Sequence, residues 1–131
     1  MSNEFKDYEY EKRQHILNQL DNDGGLPEGW YKTVIPNMVD ELVDVLGPYV
    51  FEFEVLQCKE KYGAIRIYWS WAENSYRDPE TDWDVIINRI DTILRKYESI
   101  SFLTCVECGA NATKYSDGWV LPYCHECFSR K

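Results

Sequence analysis

Four of the five cysteines fall into two C-x-x-C pairs. Cys105-Val-Glu-Cys108-Gly is followed after fifteen residues by Cys124-His-Glu-Cys127. Each pair lets two sulfurs of one turn point at a single ion while backbone N–H groups turn toward the thiolates. The spacing predicts a tetrahedral zinc site built from Cys105, Cys108, Cys124 and Cys127. Four thiolates leave no coordination position open for water, so the expected ion is one structural Zn²⁺ and not a catalytic centre. Iron suits the same four-sulfur geometry, and His125, inside the second pair, is an alternative donor. Gly109 stands where such a turn needs a positive φ.

No other set of residues assembles a reaction. Cys58 stands alone, and a nucleophilic role would need a histidine and an acid beside it; only His15 and His125 exist. No phosphate-cradling glycine loop is present. The 23 carboxylates are scattered and nominate no catalytic pair. The chain is therefore expected not to be an enzyme.

An apolar content of 44 % with 15 % aromatics argues for a folded chain despite a net charge of −9. That charge is uneven: residues 1–60 hold 13 acids against 5 bases, whereas the rest is near balance. An acidic N-terminal half repels phosphate backbones and favours basic protein surfaces, although it also keeps a small protein soluble. Met1 to Glu11 has no leader-peptide pattern, and no apolar run is long enough to span a bilayer. An odd number of cysteines in tight pairs fits metal binding in a reducing compartment, so a cytoplasmic protein is expected.

The elements that must carry these residues are legible in outline. Asn3 to Leu20 reads as a helix with a thin stripe of Phe5, Tyr8, Lys12, Ile16 and Leu20, followed by a loop over Asp21 to Gly29. Ile35, Met38, Val39, Leu42, Val43 and Leu46 form the apolar face of a second helix. Thr33 is its expected N-cap, and Gly47-Pro48 stops it. A third helix is expected from Thr81 or Asp82 to Glu98, burying Trp83, Ile86, Ile87, Ile90, Ile93, Leu94 and Tyr97. The thin stripe implies that the first helix adds little to the core, so deleting residues 1–22 should leave a folded remainder.

Tyr49 to Glu60 and Ala64 to Trp71 alternate as the strands of a hairpin. A three-residue loop, Lys61-Tyr62-Gly63, sets Phe53 opposite Trp71, Val55 opposite Trp69 and Cys58 opposite Arg66. A two-residue loop sets Glu54 opposite Trp71 and Lys59 opposite Arg66. The buried face favours the former. Near the C terminus, Thr113 to Tyr115 and Trp119 to Leu121 flank the turn signal Ser116-Asp117-Gly118, and this ribbon is expected to pack on the third helix through Phe102, Leu103, Trp119 and Leu121. The predicted fold class is α+β: helices packed on an antiparallel β-hairpin with a C-terminal four-cysteine zinc ribbon. The predicted division is an acidic α+β domain over 1–104 with the ribbon module, 105–131, packed on it.

Gly29-Trp30 at a helix start, the string Lys59-Glu-Lys-Tyr-Gly63 with Ile65-Arg66-Ile67-Tyr68, and the terminal cysteine module resemble a family of small zinc-ribbon proteins. Its members are encoded in bacteria, phages and prophages. The likeness spans roughly residues 29–127. Members of that family often carry a second glycine where this chain has Ala64, and they lack so long an acidic N terminus. The resemblance implies a context, a phage or mobile-element accessory protein in a host cytoplasm, and no activity.

The resulting expectation is a non-enzymatic, zinc-stabilised acidic protein. It binds or inhibits a host protein that has a basic surface, with Glu4, Asp7 and Glu11 as contacts, in its sharpest form by mimicking nucleic acid. The alternative is a nucleic-acid-binding ribbon that uses Lys114, Tyr115, Trp119 and Arg130 for stacking and phosphate contacts.

Overall fold

The computed structural model describes residues 3–21, 25–73 and 75–131, and side chains from Asp7 onward. Asn22 to Gly24 of the expected loop, Asn74 and the side chains of Glu4 and Phe5 lie outside the described residues.

The first helix, α1 (Asn3–Leu20), is followed by a one-turn helix, α2 (Trp30–Thr33), and by α3 (Ile35–Leu46). Pro36 fits the start of α3, where a missing N–H costs nothing. Thr33 is not the cap: Val34 takes that position, and the Thr33 hydroxyl donates to the Gly109 carbonyl of the ribbon at 3.2 Å. Gly47, with φ of 55°, ends α3, as its freedom from a Cβ allows. Gly47 to Glu52 then form a 3₁₀ helix where strand was expected, because Pro48 and the turn that follows α3 favour tight local bonding.

The hairpin comprises β1 (Phe53–Lys61) and β2 (Ala64–Trp71), antiparallel. Its register corrects the sequence-based choice in one half and bears it out in the other. At the base, Phe53 faces Trp71 and Val55 faces Trp69, as the three-residue loop requires. A bulge at Leu56 then advances β1 by one residue, so Cys58 faces Ile67 and Lys59 faces Arg66, as the two-residue loop requires. The tip is a two-residue turn with φ of 53° at Tyr62 and 86° at Gly63, the primed geometry that suits a twisted ribbon. Glu60 closes it by accepting the Gly63 N–H at 2.8 Å. The slip carries Cys58 and Glu60 to the face shared with Phe53 and Ile65, so Cys58 is buried opposite Ile67 instead of standing opposite Arg66.

Helix α4 (Trp83–Phe102) starts where expected, with the Asp82 side chain accepting the Val85 N–H, and runs four residues beyond Glu98. It lies against α3 and β2 and buries Ile90, Ile93 and Tyr97, while Trp83, Ile86, Ile87 and Leu94 are half-buried. The Glu41 carboxylate of α3 accepts from Tyr97 and Lys96, which hold it below the usual carboxylate range. An aromatic row, Phe53, Trp69, Trp71, Trp83 and Tyr49, with successive ring centroids 4.7–5.5 Å apart, seals the base of the hairpin.

A two-stranded sheet has two open edges, and each is covered by a side chain. On β1 the Gln19 amide acts as a surrogate strand: its nitrogen donates to the Phe53 carbonyl (3.1 Å) and its oxygen accepts the Val55 N–H (2.7 Å). His15, half-buried, points Nε2 at the same Phe53 carbonyl and sets its ring against Phe51. On β2 the buried Ser101 hydroxyl accepts the Ile65 N–H at 2.8 Å.

Among the described side chains, the stripe of α1 is divided. Tyr8 and Tyr10 are exposed, but Ile16 and Leu20 are fully buried in the core among the residues of α3 and β1. The C-terminal half of α1 is thus part of the core, which removes the basis for expecting the rest to fold without residues 1–22. Ile16→Ala and Leu20→Ala should each lower stability by about 2–5 kcal/mol in urea unfolding, whereas Tyr10→Ala should change it by less than about 0.5 kcal/mol.

Candidate metal centre

The four predicted ligands meet. The Sγ atoms of Cys105, Cys108, Cys124 and Cys127 all lie within 4.8 Å of one another, and those of Cys108 and Cys124 are 3.6 Å apart. A tetrahedral ion with metal–sulfur bonds of about 2.3 Å needs sulfur–sulfur edges of roughly 3.8 Å, so the cage fits one such ion. Cys105 and Cys127 are buried, and Cys108 and Cys124 are half-buried. Cys58 stays outside this group on the inner face of β1.

Two short pieces of backbone hold the sulfurs. The first knuckle folds as Gly109 N–H donates to the Cys105 carbonyl (3.1 Å), with Gly109 at φ of 84°, and Cys105 N–H donates to Ala110 (2.8 Å). The second opens α5 (His125–Ser129), whose N-cap is the Cys124 sulfur accepting the Cys127 N–H at 3.4 Å. His125 is exposed on this helix and lies outside the four-sulfur group. Strands β3 (Lys114–Tyr115) and β4 (Pro122–Tyr123) bring the knuckles together. The returning strand falls later than Trp119 to Leu121, because Ser116 closes a wide loop with its side chain, donating to the Trp119 carbonyl (2.5 Å) and accepting the Leu121 N–H (3.0 Å).

The cage polarises its own thiols. Burial raises Cys105, but backbone N–H groups of Cys124, Cys108 and Glu107 outweigh it and bring the thiol down to about 6. Burial, together with hydrogen bonding to the neighbouring cysteines, pushes Cys127 up to about 12, and Cys108 is raised as well. Arg130 donates to the Cys127 sulfur at 3.3 Å and so places a positive charge against the cage.

The seat of the ribbon is the expected one in part. Phe102, at the end of α4, stacks on Tyr115 of the ribbon (4.7 Å) and Leu121 packs against the core, whereas Leu103 and Trp119 are largely exposed. The first knuckle also sits on α2. Gly29 N–H donates to the Val106 carbonyl at 2.8 Å, and a Cβ on Gly29 would lie 2.3 Å from the Cys105 carbonyl oxygen. A Cβ on Gly109 would in turn lie 2.7 Å from the Gly29 carbonyl. The buried Trp30 indole donates to the Thr104 carbonyl at 3.1 Å. A further seat joins the ribbon loop to the hairpin tip: the Trp119 indole donates to Glu60 (2.8 Å), and a Cβ on Gly63 would lie 2.9 Å from the Val120 carbonyl. Cys105, Val106, Tyr123 and Cys127 consequently belong to the same buried cluster as Trp30 and Leu42.

The other predicted contacts are dispersed. Asp7 and Glu11 are exposed on α1, and the Glu4 side chain is outside the described residues. Of the four residues proposed for nucleic acid, Lys114 is exposed, Arg130 faces the cage, Trp119 is tied to Glu60, and the Tyr115 hydroxyl donates to the Phe102 carbonyl. Sequence reasoning placed Gly109 at its positive φ but missed its crossing with Gly29, and it missed Glu60 and Gln19 as joints; a glycine set directly before a tryptophan was the available signal for Gly29. No helix among the described residues is long and apolar enough to cross a membrane. No protein-family model, known protein or solved structure matches the chain.

Elemental analysis should find one metal ion per chain, lost in Cys105→Ser and in Cys127→Ser and retained in Cys58→Ser. At pH 7 the metal-free cage keeps protons on Cys108 and Cys127, so binding must expel at least two. The affinity should therefore rise by at least about two log units per pH unit near neutrality and fall on acidification. Gly29→Ala, whose methyl meets backbone, should destabilise the whole domain by about 1–3 kcal/mol, and metal removal should loosen α2 as well as the ribbon.

Proposed function

We propose that the chain is a non-enzymatic, zinc-stabilised acidic binding protein, a phage or mobile-element accessory factor that engages and inhibits a host protein with a basic surface. The closed four-sulfur cage carries this reading. Every donor position around the ion is a thiolate, so the metal has no vacant site at which to bind substrate or activate water. Zinc is the ion that such a cage serves as a structural staple, because it neither changes oxidation state nor imposes a geometry of its own. Elemental analysis should identify it, and an iron–thiolate absorption band in the visible would contradict it.

The acidic end of α1 supports the binding half of the proposal. Lys12 pairs with Glu9 and Arg13 with Asp40, but among the described residues Asp7 and Glu11 enter no ion pair and face solvent. Carboxylates held on the outer turns of a helix whose other end is anchored in the core present charge at fixed spacing.

The test is quantitative capture of host proteins on the intact chain and on a Glu4→Lys, Asp7→Lys, Glu11→Lys variant. The partner should be basic, and the variant should slow its association about tenfold at low salt while leaving dissociation unchanged. The difference should vanish near 0.5 M salt, a concentration at which charges act over only a few ångströms. Equal capture by the two proteins at low salt would defeat the reading.

A further inference from the structure

Four of the largest exposed apolar side chains stand where three elements meet: Tyr62 at the hairpin tip, Phe102 and Leu103 at the end of α4, and Trp119 on the ribbon loop. Tyr62, Leu103 and Trp119 are 66 %, 57 % and 62 % exposed. Between the tip and α4 lies a cleft of about 410 Å³, walled by Lys61, Tyr62, Ala64, Arg66, Phe102 and Leu103, with Glu98 and Ser99 completing the wall. That volume suits one bulky side chain and its flanking backbone.

The charge around this cleft is opposite to that of the molecule. The bulge at Leu56 places Lys59, Lys61 and Arg66 on one face of the hairpin. The nearby acids are engaged within the fold: Glu98 lies 3.3 Å from Arg66, and Glu60 accepts from Gly63 and Trp119. Among the described residues neither Lys59 nor Lys61 joins an ion pair, and Lys59, Lys61 and Arg66 outnumber Glu60 and Glu98 around the tip in a chain of net charge −9. Aromatic and arginine side chains grouped in this way are the groups that dominate binding at protein interfaces.

We propose that this cleft binds a peptide segment of a partner protein, which inserts a bulky apolar side chain between Tyr62, Phe102 and Leu103 and sets adjacent carboxylates against Lys61 and Arg66. A peptide brings two or three negative charges beside one apolar anchor. A nucleic acid brings a charge at every residue and meets the repulsion of the whole acidic molecule, so the peptide is the favoured occupant. This surface is separate from the acidic end of α1 and stands whether or not that end binds. The Trp119 side arrives with the ribbon, so the binding surface is complete only when the ribbon is held.

Panning a displayed dodecapeptide library on the metal-loaded full chain tests the proposal, with counter-selection on a Lys61→Glu, Leu103→Asp variant. Both positions are exposed, and metal content and melting temperature establish that the variant folds. Tyr62→Asn, which tolerates the left-handed turn, provides a third substitution in an intact fold. The enriched peptides should carry tryptophan, phenylalanine or leucine next to aspartate and glutamate. A synthetic copy should bind at least tenfold more weakly to each variant and to the metal-stripped chain. Enrichment of peptides without acids, or binding unchanged by all three substitutions, would overturn the proposal. So would an oligothymidylate or a second copy of the chain, detected by sedimentation, that binds and loses its affinity in these variants while no acidic peptide does.

Discussion

Gly29 and the first metal knuckle occupy each other's space. The Cys105 carbonyl and the Gly109 amide stand where a side chain on Gly29 would have to be, and the Gly29 carbonyl stands where a side chain on Gly109 would have to be. Two backbones can approach this closely only if neither carries a Cβ at the crossing, and the reward is a direct N–H to carbonyl bond between Gly29 and Val106. From that contact Trp30 is aimed into the core and at the Thr104 carbonyl, α3 follows within one turn, and the knuckle reaches the buried cluster. The ribbon is thus less an appended module than one wall of the core, and a metal held by its four cysteines would fix a surface on which the helices rest.

The hairpin takes part in the same arrangement from the other side. Glu60 bonds the tip amide and the Trp119 indole, so a single carboxylate sets both the turn and the position of the ribbon loop. Within the segment from Lys59 to Tyr68, Glu60 and Gly63 join hairpin to ribbon and Ile65 packs inward, whereas the side chains of Lys61, Tyr62 and Tyr68 stay exposed.

Much of this was readable in advance, and the limits have physical causes. Cysteine spacing is nearly a coordinate set by itself, because two sulfurs per turn and a return of fifteen residues leave few ways to enclose an ion. Helices α3 and α4 were legible because a wide apolar face is a local pattern. The hairpin was only half legible. Its base obeys the buried aromatics and its tip obeys Glu60 and the ribbon, and no local rule says that both demands can be met by one unpaired residue. Helix α1 looked dispensable because Gln19, its most specific contact, is polar and carries no signal in a hydrophobic pattern. The glycine crossing was invisible for a related reason: a residue chosen for what it lacks leaves no period or charge to detect.

The bulge at Leu56 acts as a phase shifter between two halves of one strand. Below it the alternation is timed to the helices, above it to the ribbon, and the single extra residue lets each half keep its own timing. Such a joint makes the length of β1 far more constrained than its composition. Many side chains would serve at the exposed position 56, but removing the residue would rotate every position on one side of it through half a turn of the pleat. Cys58 and Glu60 would then face outward, Lys59 and Lys61 inward, and the cationic face and the ribbon latch would be lost together.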